Sequence, residues 1–185
     1  MRKDDLILVI DMQVVYTRGK PWACRDTEGA AGNICRILDA EGHGDVIFTE
    51  FIAPQNPVGT WKDYNRINRE INESAELNML VPELRKYIGK FPLYEKSTYS
   101  SLTVEDIRRA ADKAGRVVLT GVVSECCVLA TAMHAIDLGY PVVYIRDAVS
   151  GLNRDEERAA ELVLEGLDYV QTDLMTTDEY LEAGK

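Results

Sequence analysis

The chain has 185 residues, which is enough for one domain and leaves little room for two. Its 46% hydrophobic content supports a globular core and excludes a disordered chain. A formal net charge of −10 argues against nucleic acid or an anionic membrane as the main partner, because both need a basic surface, and it does not identify a substrate.

The opening stretch "MRKDDLILVIDMQ" holds an apolar run, residues 6–10, that reads as a buried strand. Asp11 ends the run too early for a signal-peptide core or a membrane span, so a cytoplasmic protein is expected. Residues 29–41 follow as a helix with Ile34, Ile37 and Leu38 on one face. "DVIFTEF", residues 45–51, is a second strand. The weakly periodic stretch 52–75 reads as a long surface loop.

Residues 82–88 form a short helix and residues 91–95 a third strand. Residues 103–114 are a helix, with Thr103 as N-cap and Asp106 in the first turn. "RVVLTG" is the fourth strand, and residues 125–138 are a helix closed by Gly139. "PVVYIRD" is the fifth strand, residues 154–165 are a charged helix, and "DYVQT" is a final short strand. Apolar strands alternating with helices predict a single three-layer α/β/α domain, with a mostly parallel six-stranded sheet across residues 1–185.

Ligands in such folds sit beyond the carboxyl ends of the strands. That rule picks out Asp11, Lys96, residues 124–127 and Asp147. Each has an ordinary reading: a helix cap for the aspartate, a surface charge for the lysine, a small buried plug for Cys127. Together they describe a nucleophilic site without histidine. A helix start lowers a thiol pKa, a carboxylate takes the thiol proton, and a lysine holds that carboxylate ionised. The four cysteines are expected to be free thiols. With only His43 and His134 in the chain, no metal and no cofactor are expected.

Three segments resemble the isochorismatase-like cysteine hydrolases, whose members include nicotinamidases, carbamoylsarcosine amidases and ureidoacrylate hydrolases. They are "LILVIDMQ", "EKSTYSSL" and "LTGVVSECCVLATAMHAIDLGYPVVYIRDA". The last carries the family's G-x-x-[ST]-x-x-C-V pattern at Gly121, Ser124, Cys127 and Val128. The resemblance implies Asp11, Lys96 and Cys127 as catalytic residues and a cis peptide at Val123–Ser124. It also implies an oxyanion held by the N–H groups of Ser124 and Cys127, and a homo-oligomer, dimeric or tetrameric. Cys126 is expected to face away, because successive helical residues point about 100° apart.

The departures narrow the chemistry. Many members carry Asn-Asp-Phe where Val14, Val15 and Tyr16 stand, and zinc-dependent nicotinamidases carry an Asp-x-His where this chain has "TEFIAPQNP" with Glu50. Retention of Cys127 points to amide-type rather than vinyl-ether cleavage. Gln13, Tyr16, Trp22, Trp61, Tyr64 and Tyr99 are candidates for the pocket, and Arg154 for a substrate carboxylate.

The expected function is cysteine-dependent hydrolysis of a small amide, ureido or carbamoyl compound through a thioester. A nicotinamidase is one alternative, and a non-catalytic oligomeric binding protein of the same fold is another. A haloacid-dehalogenase-like phosphatase would need Asp where Gln13 stands. A dinucleotide-binding domain would need a G-x-G-x-x-G turn that is absent.

Overall fold

The computed structural model describes residues 1–183. Six strands form one sheet: β1 (Asp5–Ile10), β2 (Asp45–Phe51), β3 (Leu93–Lys96), β4 (Arg116–Val122), β5 (Val142–Ser150) and β6 (Thr172–Met175). Their order is β3-β2-β1-β4-β5-β6, and every neighbouring pair is parallel. The helices are α1 (Thr27–Asp39), α2 (Trp61–Ile67), α3 (Arg69–Asn72), α4 (Ala75–Asn78), α5 (Glu105–Ala111), α6 (Leu129–Asp137), α7 (Arg154–Glu165) and α8 (Thr177–Glu182).

The period-2 alternation of the strands divides the core into two layers. Ile7, Val9, Val118, Val143 and Ile145 face Ala30, Ile34 and Leu38 of α1 and Tyr180 of α8. Leu6, Leu8, Ile10, Val117, Leu119 and Tyr144 face Ile107 of α5, Ala132 and Ala135 of α6 and Leu164 of α7. All six residues of β1 are buried, as a strand covered on both faces requires.

Several boundaries differ from the sequence expectation, each for a local reason. Helix α1 starts two residues early because the Asp26 carboxylate accepts from the Gly29 N–H and caps it. Thr103 is not an N-cap. It closes a 3₁₀ turn, Ser101–Thr103, where its hydroxyl donates to the Ser100 carbonyl, and α5 begins at Glu105. The stretch 52–75 is not one loop. It holds α2, α3 and the start of α4, short helices without a buried residue and hence without a readable apolar stripe.

The last strand lies at Thr172–Met175 rather than at residues 168–172, because pairing of Val142 with Thr172 sets its register. Strand β5 runs on to Ser150 across a shift in register between Leu119 and Gly121 of β4. Asp147 lies in that irregular stretch. Its carboxylate accepts from the N–H and hydroxyl of Thr177, and its carbonyl accepts from Asn33 Nδ2, so it anchors α8 and α1 to the sheet and is not at the site.

Helix α6 ends as its sequence predicts. Gly139 has φ +84°, its N–H donates to Ile136, and the Tyr140 N–H donates to Ala135. Its start is different: Ser124–Val128 is a π turn, with Val128 N–H donating to Val123 O, and regular α geometry begins at Leu129.

Candidate active site

Strand order reverses between β1 and β4, and the crevice at their carboxyl ends is the topological switch point of the sheet. Four neighbouring strands deliver one polar group each to this place: Lys96 from β3, Thr49 from β2, Asp11 after β1 and Cys127 after β4. Gly121 makes the approach possible. A Cβ there would meet the Ile10 carbonyl oxygen at 2.1 Å, and its φ is +104°.

Asp11 is fully buried and has φ +50°, a left-handed conformation uncommon outside glycine and found mainly for Asn and Asp. Its N–H donates to the Thr49 carbonyl at 3.1 Å, and the Thr49 hydroxyl donates to Asp11 Oδ1 at 2.8 Å. Lys96 Nζ lies 2.6 Å from Asp11 Oδ2, with both side chains closed to solvent. The same ammonium donates to the Thr98 carbonyl at 3.0 Å and to Cys127 Sγ at 3.4 Å, and sits 5.5 Å from the Phe51 ring centre.

Burial, and then the Asp11 carboxylate, push the Cys127 thiol well above its ordinary range, and Lys96 opposes this without reversing it. The expectation of a thiol acidified by a helix start is therefore corrected. The first turn is a π turn, Cys127 is 3% exposed, and a carboxylate stands beside its thiol. Burial alone would lower the Lys96 pKa, but Asp11 and Cys127 outweigh it and the pKa rises. The resting site thus holds a neutral thiol beside an ion pair.

Cys127 opens onto a cavity of about 310 Å³. Of the residues proposed from sequence, Tyr16, Trp22, Tyr64, Tyr99 and Val123 line it, and Pro21, Asn68 and Leu152 join them. Asn68 and Leu152 carry no sequence signal, since both come from irregular segments placed only by the fold. Thr49 had one: it is the hydroxyl residue inside the apolar strand next to that of Asp11. A larger recess of about 770 Å³ lies near Met1–Lys3 and Ala40–Gly42, before the strands begin, and offers neither a nucleophile nor a buried ion pair.

Six expectations are corrected. Cys126 also lines the cavity and is half-buried, because the π turn departs from the 100° spacing that separates neighbours on an α-helix. The cis peptide is Val122–Val123, one residue earlier than Val123–Ser124. Ser124 is fully buried, its hydroxyl 2.9 Å from that of Tyr144, so the turn meets the cavity at Val123.

Gln13 is a strut and not a binding residue. Its amide accepts from the Phe51 N–H and donates to the carbonyls of Phe51 and Asn78. Arg154 is exposed in the first turn of α7 and does not line the cavity. Trp61 stands beside the cavity, backing Tyr64 at 5.1 Å and Tyr99 at 5.4 Å.

Among the described residues, no group of three or more His, Cys, Asp or Glu side chains could hold a metal ion, and no helix is long and apolar enough to cross a membrane. All four cysteines are free thiols.

Known structures share this architecture. An isochorismatase-like hydrolase from Alkaliphilus metalliredigens is 21% identical, with a TM-score of 0.77 and 97% of each chain covered. A cysteine hydrolase from Pseudomonas syringae pv. phaseolicola 1448A is 17% identical with a TM-score of 0.81, covering 97% of this chain and 91% of that one. The N-carbamoylsarcosine amidase from Thermoplasma acidophilum is 20% identical with a TM-score of 0.73, covering 97% and 98%. No curated protein sequence matches the chain. The family model described as the isochorismatase domain matches residues 5–179, from the first strand into the last helix, and on that span the chain belongs to the isochorismatase-like hydrolase family.

Proposed function

We propose that this protein is a cysteine hydrolase of small amide, ureido or carbamoyl compounds, working through a thioester. The observation that carries the reading is the Lys96 ammonium between Asp11 Oδ2, at 2.6 Å, and Cys127 Sγ, at 3.4 Å, beside an aromatic cavity.

Asp11 takes the thiol proton as Cys127 Sγ bonds to the substrate carbonyl carbon. The thiol is neutral at rest, so proton transfer and attack are coupled, and Lys96 stabilises the thiolate as it develops. The carbonyl oxygen gathers the displaced electron pair. In this reading its donors are the N–H groups of Val123 and Cys127, and the support is that both residues line the cavity. Asp11 then returns the proton to the leaving nitrogen as the C–N bond breaks. Finally Asp11 takes a proton from the water that attacks the thioester carbonyl and passes it to the Cys127 sulfur as the C–S bond breaks, which releases the acid and restores the free thiol and the ionised Asp11.

The test is intact-protein and peptide mass spectrometry after exposure to a panel of amides, nicotinamide included, with ureides and carbamoyl compounds. An acyl adduct on Cys127 that is absent from Cys127→Ser supports the reading. Turnover retained by Cys127→Ser overturns it, and binding without adduct or turnover favours a non-catalytic binding protein. The same reading carries a homo-oligomer. Its support is the exposed apolar residues Leu162, Val163, Tyr169 and Val170 on and after α7, and light scattering measures it.

A further inference from the structure

The cavity beside Cys127 has a mostly apolar wall. No Lys, Arg, His, Asp or Glu lines it. The nearby Lys96 ammonium is already held by Asp11 and by the Thr98 carbonyl. A substrate carboxylate would be desolvated there without a partner, so the cavity fits an uncharged compound.

Three hydroxyls in that wall, those of Tyr16, Tyr64 and Tyr99, have no hydrogen-bond partner among the described residues, and of the three only Tyr16 is a buried residue. Tyr16 is 5% exposed and lines the cavity. Its ring packs against Trp22 at 5.8 Å, and its backbone carbonyl accepts from the Thr27 hydroxyl and the Cys24 N–H. Its own hydroxyl has no hydrogen-bond partner among the described residues. The other buried tyrosines each have one: Tyr87 donates to Asp39, Tyr144 meets Ser124, and Tyr180 donates to Asp5. The Tyr16 hydroxyl differs from these: it is not among the buried atoms closed off without a partner, so it is open to the cavity where a ligand would sit. Burial, and then the charges of Cys127 and Asp11, push the Tyr16 pKa well up, so the hydroxyl keeps its proton.

We propose that the Tyr16 hydroxyl is a specificity-determining contact that pairs with a polar atom next to the scissile carbonyl, so that the site prefers uncharged ureido and carbamoyl compounds to plain carboxamides. The inference rests on the cysteine-hydrolase reading. In that reading the carbonyl oxygen is met by the turn's N–H groups and the leaving nitrogen by Asp11. What remains for Tyr16 is the atom on the other side of the carbonyl. A ureide offers an N–H there, which donates to the phenol oxygen. A carbamate offers an oxygen, which accepts from the phenol O–H. A carboxamide offers only carbon and leaves the hydroxyl unpaired. Sites built around such a hydrogen bond discriminate strongly against the analogue that lacks it.

Phenylurea and phenylacetamide differ only in N–H against CH₂ beside the carbonyl. The experiment measures kcat/KM for both, by ammonia release, in the wild type and in Tyr16→Phe. Intrinsic reactivity cancels when the urea-to-amide ratio is compared between the two proteins. The ratio is expected to fall by about tenfold or more in Tyr16→Phe. Trp22→Phe, which alters the wall without removing a hydroxyl, is expected to move both substrates together.

An unchanged ratio in Tyr16→Phe, with melting temperature preserved and acyl adducts still forming on Cys127, overturns the Tyr16 assignment and leaves the hydrolase reading standing. Absence of turnover and of any Cys127 adduct with both compounds, in a wild type tested across the wider panel, overturns the hydrolase reading itself and this inference with it.

Discussion

Lys96 Nζ lies 2.6 Å from Asp11 Oδ2, and neither side chain is exposed to solvent. An ion pair this deep is costly to assemble and costlier to break by halves, because removing one partner leaves the other charge buried alone. Asp11→Asn is therefore expected to lower kcat by about 100-fold or more through loss of the proton acceptor. It is also expected to destabilise the fold by about 3 kcal/mol or more through the orphaned ammonium. Adding Lys96→Met to Asp11→Asn is expected to restore most of the stability and none of the activity. Melting curves and steady-state rates check both halves, and a fully active Asp11→Asn rules out the mechanism.

The thiol at rest offers a second measurement. Burial and Asp11 hold the Cys127 pKa well above its ordinary range, and Cys24, also buried, is pushed up to about 12. Iodoacetamide at neutral pH is expected to label the half-buried Cys35 and Cys126 ahead of Cys127, whose labelling climbs steeply as the pH is raised. Peptide mapping over a pH series reads this directly. Cys127 labelled first at neutral pH means that it rests as thiolate.

Gln13 ties the end of β2 to the segment after it through Phe51 and Asn78. Gln13→Ala leaves the buried Phe51 N–H and carbonyl without that partner, at a cost of about 1–3 kcal/mol. Because Tyr64 and Asn68 of the cavity wall lie within the tied segment, KM is expected to rise with the drop in melting temperature. Limited proteolysis is expected to cut between α2 and α4 sooner than in the wild type.

Acid stability is expected to depend on Asp5. Burial alone raises its pKa, but Arg116, the Arg2 N–H and the Tyr180 hydroxyl outweigh burial and hold it below the ordinary value of 3.8. A carboxylate with a depressed folded pKa contributes stability that is fully present above its unfolded value and is lost as pH falls through the folded one. The wild type is expected to lose stability below about pH 3.8 by this route. Asp5→Asn is expected to be less stable at neutral pH and to show a shallower acid limb in pH-dependent urea melts.

Chelation tests the chemistry from another side. With no metal-holding cluster among the described residues, turnover is expected to survive EDTA undiminished. Bound stoichiometric zinc, with activity lost on its removal, would move the assignment toward a metal-dependent hydrolase.

The sequence by itself determined the layered fold and picked out three side chains, Asp11, Lys96 and Cys127, that the fold brings together. Near-continuous apolar strands alternating with helices admit a parallel sheet covered on both faces, and the end of a strand is a position that sequence can mark, as at Asp11, Lys96 and Cys127. Tertiary structure alone decided what surrounds them. Gln13 and Tyr16 sit three residues apart, yet one is spent on Phe51 and Asn78 while the other keeps a free hydroxyl in the cavity. Arg154 and Leu152 are two residues apart, yet Leu152 lines the cavity and Arg154 is exposed to solvent. The acidity of Cys127 was read from sequence in the wrong direction. A thiol's pKa is set by burial and by charges from other strands, and those are brought together by strand order and register rather than by spacing along the chain.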